Sequence, residues 1–167
     1  MGRVVTCDAL PGLAAAARRA GRRVVFTNGL FDLLHVGHLR SLCAARALGD
    51  LLVVGLNDDD SARRLKGPTR PLIPAVERAE LIAALAPVDY AVIFAGDTAH
   101  EPLALLRPAI YVKGGDYAVP GGVGTPLPEA GAVVAFGGEV RLIPLVPGRS
   151  TSGLIAQIVA RHGPRPD

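Results

Sequence analysis

The chain has 167 residues, half of them hydrophobic, and a formal net charge of +3. This length suits a single domain over residues 1–167. Charged residues interrupt every apolar run before it reaches the ~18 residues that a membrane span needs. The two cysteines are too few for a disulfide framework. The basic residues are scattered, without the clustered stripe of nucleic-acid binders. We therefore expect a cytoplasmic protein that acts on small molecules, with no nucleic-acid or membrane partner.

Short apolar runs alternate with helical patterns along the chain. After a helical stretch at 12–20, the predicted strands are VVFT (24–27), LLVVGL (51–56), YAVIF (90–94), AIYVKG (109–114) and VRLIPL (140–145). The predicted helices are VGHLRSLCAARALG (36–49), DSARRL (60–65), AVERAELIAAL (75–85), HEPLALLR (100–107) and STSGLIAQIVARH (150–162). Nearly continuous apolar strands are buried on both faces, and strands alternating with helices form right-handed βαβ crossovers. The sequence therefore predicts an α/β fold with a Rossmann-like, doubly wound parallel sheet of five strands.

The segment Tyr117 to Pro128 (YAVPGGVGTPLP) is the one stretch rich in glycine and proline. This composition predicts an irregular loop. The loop is either a passive surface insertion or a lid that recognises substrate, and the residues alone leave both readings open.

The stretch FTNGLFDLLHVGHLR places polar residues directly after the first predicted strand. In an open parallel sheet, ligands bind beyond the carboxyl ends of the strands. Asn28 and Gly29 tolerate the torsions of a sharp strand exit. A helix that begins near Val36 presents unpaired backbone N–H groups and a partial positive charge to an anion. The stretch therefore predicts a binding site for an anionic ligand.

Two histidines, His35 and His38, project from one side of the first turn of that helix. Gly37 between them leaves room for a phosphate. Either histidine alone would be interpreted as a structural hydrogen-bonding residue. A zinc site needs a third ligand, which neither an H-E-x-x-H pattern nor a cysteine cluster supplies, so we predict no metal ligands. The dinucleotide pattern G-x-G-x-x-G and the P-loop pattern are also missing, so the phosphate cradle must be of another kind.

The two lysines of the chain, Lys66 and Lys113, each precede a glycine, whereas the other 16 basic residues are arginines. A compact ammonium at two phosphate-facing loops explains this choice, because lysine and arginine are not interchangeable. Chance or codon bias is the alternative.

Further polar residues lie at ends of predicted elements. Asn57 and Asp58 follow the second strand, where Asp58 either joins the site or caps the next helix. Arg78 either contacts phosphate or forms ion pairs on its helix. Ser150 or Thr151 caps the last helix, whose N-terminus would be a second anion-binding point.

Seven segments carry a resemblance, in this order: FTNGLFDLLHVGHLR, ARALGDLLVVGLN, RRLKGPTRP, ERAELIAAL, VDYAVIF, LRPAIYVKGGDY and GRSTSGLI. Together they resemble the nucleotidyltransferases with an H-x-G-H signature. Within that family the chain is most similar to the adenylyltransferases of D-glycero-β-D-manno-heptose 1-phosphate, which often form the C-terminal half of a bifunctional kinase and adenylyltransferase. The likeness runs from about Arg22 to Ile158. It implies a stand-alone adenylyltransferase, because the kinase half is missing from the sequence.

The resemblance implies transfer of AMP from ATP to a sugar 1-phosphate with Mg²⁺, and release of pyrophosphate. It implies catalytic roles for His35, His38 and Lys66. The implied nucleotide-binding residues are Thr27, Asn28, Gly29, Phe31, Gly37, His38, Lys113, Gly114, Asp116, Arg149, Ser150 and Thr151. The implied substrate-binding residues are Asp32, Asn57 and Arg78.

The sequence departs from the family at two places. Leu30 stands where the group more often has cysteine, and AVPGGVGTPLPEAG is unusually rich in glycine and proline, which leaves the acceptor sugar open. The alternatives are a cytidylyltransferase that acts on glycerol 3-phosphate or a related compound, and a catalytically idle nucleotide-binding protein. Members of such families often form homodimers, although no stripe in this sequence marks an interface.

Overall fold

The computed structural model describes residues 1–115, 117–118 and 125–163. Its strands are β1 (Arg3–Val5), β2 (Val24–Gly29), β3 (Leu51–Asn57), β4 (Tyr90–Phe94), β5 (Ile110–Gly114), β6 (Tyr117–Ala118), β7 (Thr125–Pro126) and β8 (Glu139–Ile143). Six of them form one parallel sheet in the order β1-β4-β3-β2-β5-β8. The predicted doubly wound parallel sheet is therefore confirmed.

The sheet has six strands, one more than the five predicted from the sequence. The additional strand is β1, which pairs with β4 at the edge of the sheet. It has only three residues, two of them exposed. Such a short, largely exposed run lacks the apolar pattern by which the other strands were predicted.

Seven α-helices occur in the described residues: α1 (Leu10–Arg19), α2 (Val36–Arg46), α3 (Asp59–Lys66), α4 (Ala75–Ala84), α5 (His100–Leu106), α6 (Ala130–Ala135) and α7 (Thr151–His162). Their buried faces cover both sides of the sheet. One hydrophobic cluster joins α1, α5 and α6 to one face, where Phe26 and Tyr111 lie. The other joins α2 and α4 to the opposite face, where Val25 and Ile110 lie. Neighbouring strand residues therefore belong to opposite clusters, as the pleat requires.

The glycine- and proline-rich segment is only partly described. Tyr117–Ala118 and Thr125–Pro126 pair as two-residue parallel strands, so the prediction of wholly irregular structure is wrong at these dipeptides. The remaining six positions, 119–124, lie outside the described residues. The segment ends against the core, because Leu127 and Glu129 are buried.

The strand order places a topological switch between β2 and β5. The chain moves from β2 through β3 to β4 on one side, and from β5 to β8 on the other. At such a switch the connections diverge and leave a crevice at the carboxyl ends of the strands. This crevice is where the loop after β2 lies. None of the helices that the structure describes has the length and apolar character needed to cross a bilayer.

Candidate active site

The connection between β2 and α2 is held in place by buried polar contacts. Asp32 is 1% exposed. Its carboxylate accepts hydrogen bonds from the backbone N–H groups of Leu72 (2.9 Å) and Ile73 (3.0 Å) and pairs with the guanidinium of Arg70. Phe31 adopts a φ of 52°, a left-handed conformation that is rare for a bulky residue. The loop is therefore fixed before it reaches the histidines.

His35 is the N-cap of α2, and its Nδ1 accepts a hydrogen bond from the backbone N–H of His38 at 3.4 Å. Because Nδ1 accepts, the proton of the neutral His35 ring lies on Nε2. The two imidazole rings are stacked, with centroids 3.8 Å apart and planes inclined by 18°. The sequence prediction that both histidines belong to one face of the first turn agrees with this geometry.

His38 is a neutral ring in a largely apolar setting. Burial, with a contribution from the neighbouring His35, lowers the pKa of His38 to about 4. Phe31 packs edge-on against its ring with centroids 5.3 Å apart. Its Nδ1 is buried and has no hydrogen-bond partner among the described residues. At neutral pH the His38 ring therefore carries one N–H donor and one acceptor nitrogen, of which Nδ1 is buried in this structure.

Gly37 is required by the packing of the histidines. A Cβ atom at this position would lie 2.8 Å from Nδ1 and 2.9 Å from Cε1 of His35, and 3.3 Å from Cβ of Arg149. The space at Gly37 is thus taken up by the His35 ring, and the expectation that Gly37 leaves room for a phosphate stays a prediction.

The N-terminus of α7 approaches the same place. Ser150 caps α7 by accepting a hydrogen bond from the N–H of Gly153 at 3.0 Å, and the hydroxyl of Thr151 donates to the carbonyl of Leu33 at 3.3 Å. Arg149 is exposed, and together with burial it lowers the pKa of His35. A cleft of about 220 Å³ is lined by His35, Gly37, His38, Ser41, Leu145, Val146, Arg149, Ser150 and Thr151. We call it the histidine cleft.

A second and larger cleft, of about 520 Å³, contains both lysines of the chain. Its lining is Asn28, Gly29, Leu30, Asn57, Leu65, Lys66, Asp97, Thr98, Lys113, Gly114, Pro126, Leu127, Pro128 and Glu129. We call it the lysine cleft. Lys66 is the exposed last residue of α3, whereas Lys113 is half-buried in β5. Residues 47 positions apart are thus brought to one cavity.

Asn28 organises the wall of the lysine cleft. Its Oδ1 accepts hydrogen bonds from the hydroxyl of Tyr111 (2.7 Å) and from Nζ of Lys113 (2.8 Å). With the amide oxygen engaged twice, the Nδ2 group is oriented away from these donors. Burial lowers the pKa of Lys113, and the negative charge of Glu129 opposes that shift.

Two predicted substrate-binding residues line neither cleft. Arg78 is 0% exposed. Its guanidinium donates to the carbonyls of Ile73 (2.8 Å) and Asn57 (3.0 Å), to the carbonyl of Leu30, and to the carboxylate of Asp59 at 2.7 Å. It therefore links α4 to the loops after β2 and β3. Asp32, described above, has a similar buried linking position.

The other predicted residues are distributed as follows. Asn57 lines the lysine cleft and donates through Nδ2 to the carbonyl of Gly96 at 2.9 Å. Asp58 caps α3 by accepting from the N–H of Ser61. Thr27 is buried in β2. Asp116 lies outside the described residues.

The sequence reasoning missed two residues in or beside the lysine cleft, Tyr111 and Glu129. Tyr111 lies in the apolar run AIYVKG and is indistinguishable there from an ordinary core aromatic. Glu129 directly follows the glycine- and proline-rich segment. Its only signal in the sequence was a single carboxylate between Pro128 and Ala130. Neither residue belongs to a local motif.

Comparison with known proteins agrees with this geometry. Residues 26–151 match the model of the cytidylyltransferase-like family. The bifunctional protein HldE of Geobacter sulfurreducens is 51% identical over 161 residues, which cover 96% of this chain and 32% of that protein. The bifunctional protein HldE of Syntrophotalea carbinolica is 54% identical over 155 residues, 93% of this chain and 31% of that protein. The chain thus spans about a third of the length of these curated relatives.

Among solved structures, the lipopolysaccharide core biosynthesis protein from Thermoplasma volcanium GSS1 is similar, with a TM-score of 0.60 and 28% identity over 75% of this chain and 98% of that chain. These findings confirm the resemblance drawn from the ordered motifs. The family model matches most of the chain, and over nearly the whole chain these relatives share about half of its residues. The chain therefore belongs to the cytidylyltransferase-like family and is a nucleotidyltransferase.

Proposed function

We propose that this chain transfers AMP from ATP to D-glycero-β-D-manno-heptose 1-phosphate, giving ADP-heptose and pyrophosphate. The proposal is supported by the identity of about half the residues to proteins named bifunctional HldE. A solved neighbour named as a lipopolysaccharide core biosynthesis protein is also consistent with a sugar-phosphate substrate.

The observation that carries the proposal is the pair of clefts at the carboxyl edge of the sheet. The histidine cleft combines two stacked neutral imidazoles with the N-termini of α2 and α7, an arrangement of N–H donors suited to a polyphosphate. The lysine cleft holds both ammonium groups of the chain, which suit a second anion. A transferase that joins two phosphorylated substrates needs two such sites side by side.

In the proposed reaction, a phosphate oxygen of the sugar 1-phosphate forms a bond to the α-phosphorus of ATP. The bond between that phosphorus and the oxygen bridging to the β-phosphorus breaks, and pyrophosphate leaves with the electron pair. No covalent intermediate on the protein is needed, so catalysis consists of positioning and of charge stabilisation in the transition state.

Each group has a defined task in this scheme. His35 and His38 donate N–H bonds to the triphosphate, and His38 acts on the α-phosphate oxygens. Ser150, Thr151 and the first amides of α7 hold the β- and γ-phosphates. Lys66 and Lys113 offset the repulsion between the acceptor phosphate and the triphosphate. For Lys113 this proposal differs from the nucleotide-binding role that the resemblance implies.

Magnesium enters this proposal with the triphosphate. The described residues contain no cluster of three or more His, Cys, Asp or Glu side chains that could hold a metal ion. Mg²⁺ is commonly bound through substrate phosphates and waters with few protein ligands. It would therefore neutralise the departing pyrophosphate as the counter-ion of ATP.

The test is pyrophosphate release by the purified protein with Mg²⁺. ATP and CTP are each combined with D-glycero-β-D-manno-heptose 1-phosphate, its α anomer and glycerol 3-phosphate, and the His38→Ala variant, purified in parallel, measures contaminating activity. We expect turnover with ATP and the β-heptose phosphate. Turnover restricted to CTP or glycerol 3-phosphate would contradict the substrate assignment. ATP binding without turnover of any pair would contradict the reaction itself.

A further inference from the structure

Glu129 has one carboxylate oxygen that the fold does not use. The residue is 3% exposed. Its Oε1 accepts a hydrogen bond from the backbone N–H of Ala99 at 2.9 Å, at the N-cap of α5. Its Oε2 is buried and has no hydrogen-bond partner in the part of the chain that the structure describes. A buried oxygen of a carboxylate left unpaired is costly, so a fold that needed only a cap for α5 would be served better by a neutral side chain.

The position of Glu129 indicates what the second oxygen is for. The residue forms part of the wall of the lysine cleft, together with Lys66, Lys113, Asn28 and Asn57. Burial lowers the pKa of Lys113, and the negative charge of Glu129 opposes that shift. The wall thus contains two cations and two carboxylates, Asp97 and Glu129. Asp97 is paired with Arg64, whereas Oε2 of Glu129 has no partner among the described residues. Such a lining is unsuitable for a bare phosphate and suitable for a phosphate attached to a hydrogen-bond donor.

The chemistry of a carboxylate narrows the ligand further. An ionised carboxylate only accepts hydrogen bonds and repels a phosphate oxygen. The ammonium groups attract the phosphate, so the carboxylate has to meet a different part of the same molecule. Sugar hydroxyls are neutral O–H donors, and a short O–H···O⁻ hydrogen bond is among the stronger ones available.

We propose that Oε2 of Glu129 accepts a hydrogen bond from a hydroxyl group of the phosphorylated acceptor and thereby selects polyhydroxylated acceptors over simple phosphates. The inference rests on the proposed function, which makes the lysine cleft the acceptor site. Glu129 is a specificity-determining residue in this assignment, and it takes no part in proton transfer.

The substitution Glu129→Gln tests the assignment with little change of shape. The amide oxygen of glutamine can still accept from the N–H of Ala99, which turns the NH₂ group to the position of Oε2. An acceptor is thus replaced by a donor while the cap of α5 is preserved. We expect an unchanged or higher melting temperature, because an unpaired buried charge is removed, and a rise in KM for the sugar phosphate of about ten- to a hundredfold. KM for ATP should not change.

The matched control is Glu80→Gln, which removes the same charge from an exposed position on α4 and should leave both KM values unchanged. A KM for the sugar phosphate that stays at the wild-type value in Glu129→Gln overturns the inference. A rise in KM for ATP that disappears with 3′-deoxy-ATP also overturns it, because the carboxylate would then bind the ribose of the nucleotide.

The inference and the proposed function fail in different ways. If the wild-type protein turns over glycerol 3-phosphate and not the heptose phosphate, the proposed function fails, and the effect of Glu129→Gln is measured on KM for glycerol 3-phosphate with the same expectations. If no acceptor is turned over, calorimetric Kd values for heptose 1-phosphate are compared. Weaker binding to Glu129→Gln than to wild type supports the inference, and equal Kd values, or no binding to either protein, overturn it.

Discussion

The two clefts differ in the groups that they would present to an anionic ligand. In the histidine cleft the donors are two neutral imidazoles and the amides of two helix N-termini, with Arg149 exposed at the margin. In the lysine cleft two ammonium groups lie among side-chain amides and the carboxylates of Asp97 and Glu129. Neutral, directional donors held in place by the fold would fix the geometry of a polyphosphate. Ammonium groups would instead act as point charges that reduce the repulsion a second anion meets on approach.

The largest effect should come from His38, the donor that we propose acts on the α-phosphate. We expect His38→Ala to lower kcat by about 10² to 10³, equivalent to roughly 2.7–4 kcal/mol, as for the loss of one oxyanion donor. The measurement is pyrophosphate release at saturating substrates. His162→Ala is the matched control, since His162 is exposed at the far end of α7, roughly 16 Å from its N-terminus. A His38→Ala enzyme with more than a tenth of the wild-type kcat would refute the contrast between the clefts.

A smaller loss should follow from displacing His35 without removing it. In Gly37→Ala the new Cβ would lie 2.8 Å from Nδ1 of His35, so the ring must move. A misplacement of about 1 Å can lower a rate about 10²-fold, and we expect a fall of that order in kcat with little change in KM for the acceptor. Steady-state kinetics provide the test. Gly12→Ala, at a helical position with open space around it, should retain full activity, and full activity of Gly37→Ala would contradict the packing argument.

Removal of a cation from the lysine cleft should affect the acceptor side. Lys113→Met removes the ammonium that donates to Asn28 while roughly keeping the length of the side chain. Hydrogen bonds to charged groups contribute about 1.5–3 kcal/mol, so we expect kcat/KM for the acceptor to fall about 10- to 100-fold, mainly through KM. Arg63→Met, on the exposed side of α3, is the control. If KM for ATP rises and KM for the acceptor does not, Lys113 serves the nucleotide.

The smallest effect concerns stability and pH. Burial lowers the pKa of His38 from 6.5 to about 4, so between these values the unfolded chain binds more protons at this position than the folded protein does. Stability therefore rises with pH across this window: the contribution of His38 is complete above pH 6.5 and is lost as the pH falls through about 4. We expect the melting temperature of the wild type to decline more steeply between pH 7 and pH 5 than that of His38→Gln. Parallel curves for the two proteins would contradict a neutral His38.

The histidine cleft could be predicted from the sequence because each of its two parts is a local pattern, although only the fold brings them together. A strand end, a turn, two histidines and a helix start all lie within about a dozen residues, and the cap at Ser150 is a local pattern as well. The lysine cleft was less accessible. The rarity of lysine indicated Lys66 and Lys113, but only the sheet brings the two together, and Tyr111 resembles any core aromatic in its run.

Arg78 shows a further limit of reading charge from sequence. On a helix with Glu77 and Glu80, an arginine is expected at the surface, yet it is 0% exposed. Burial is possible here because four acceptors surround the guanidinium, three of them from segments distant in sequence. No local sequence pattern predicts that carbonyls of other loops will accept hydrogen bonds from this side chain. The short elements β1 and α6 were missed for a related reason, since three and six residues carry too little periodicity.

The helix that completes the histidine cleft is attached loosely. None of the residues of α7, Thr151–His162, is buried, and Ile158 and Val159 are 54% and 61% exposed. Elements with little buried apolar surface open locally at low free energy. A ligand held by the first amides of α7 would stabilise its docked form by RT ln(1 + [L]/Kd). If the nucleotide binds there as proposed, its binding and the local folding of the last helix form one coupled equilibrium.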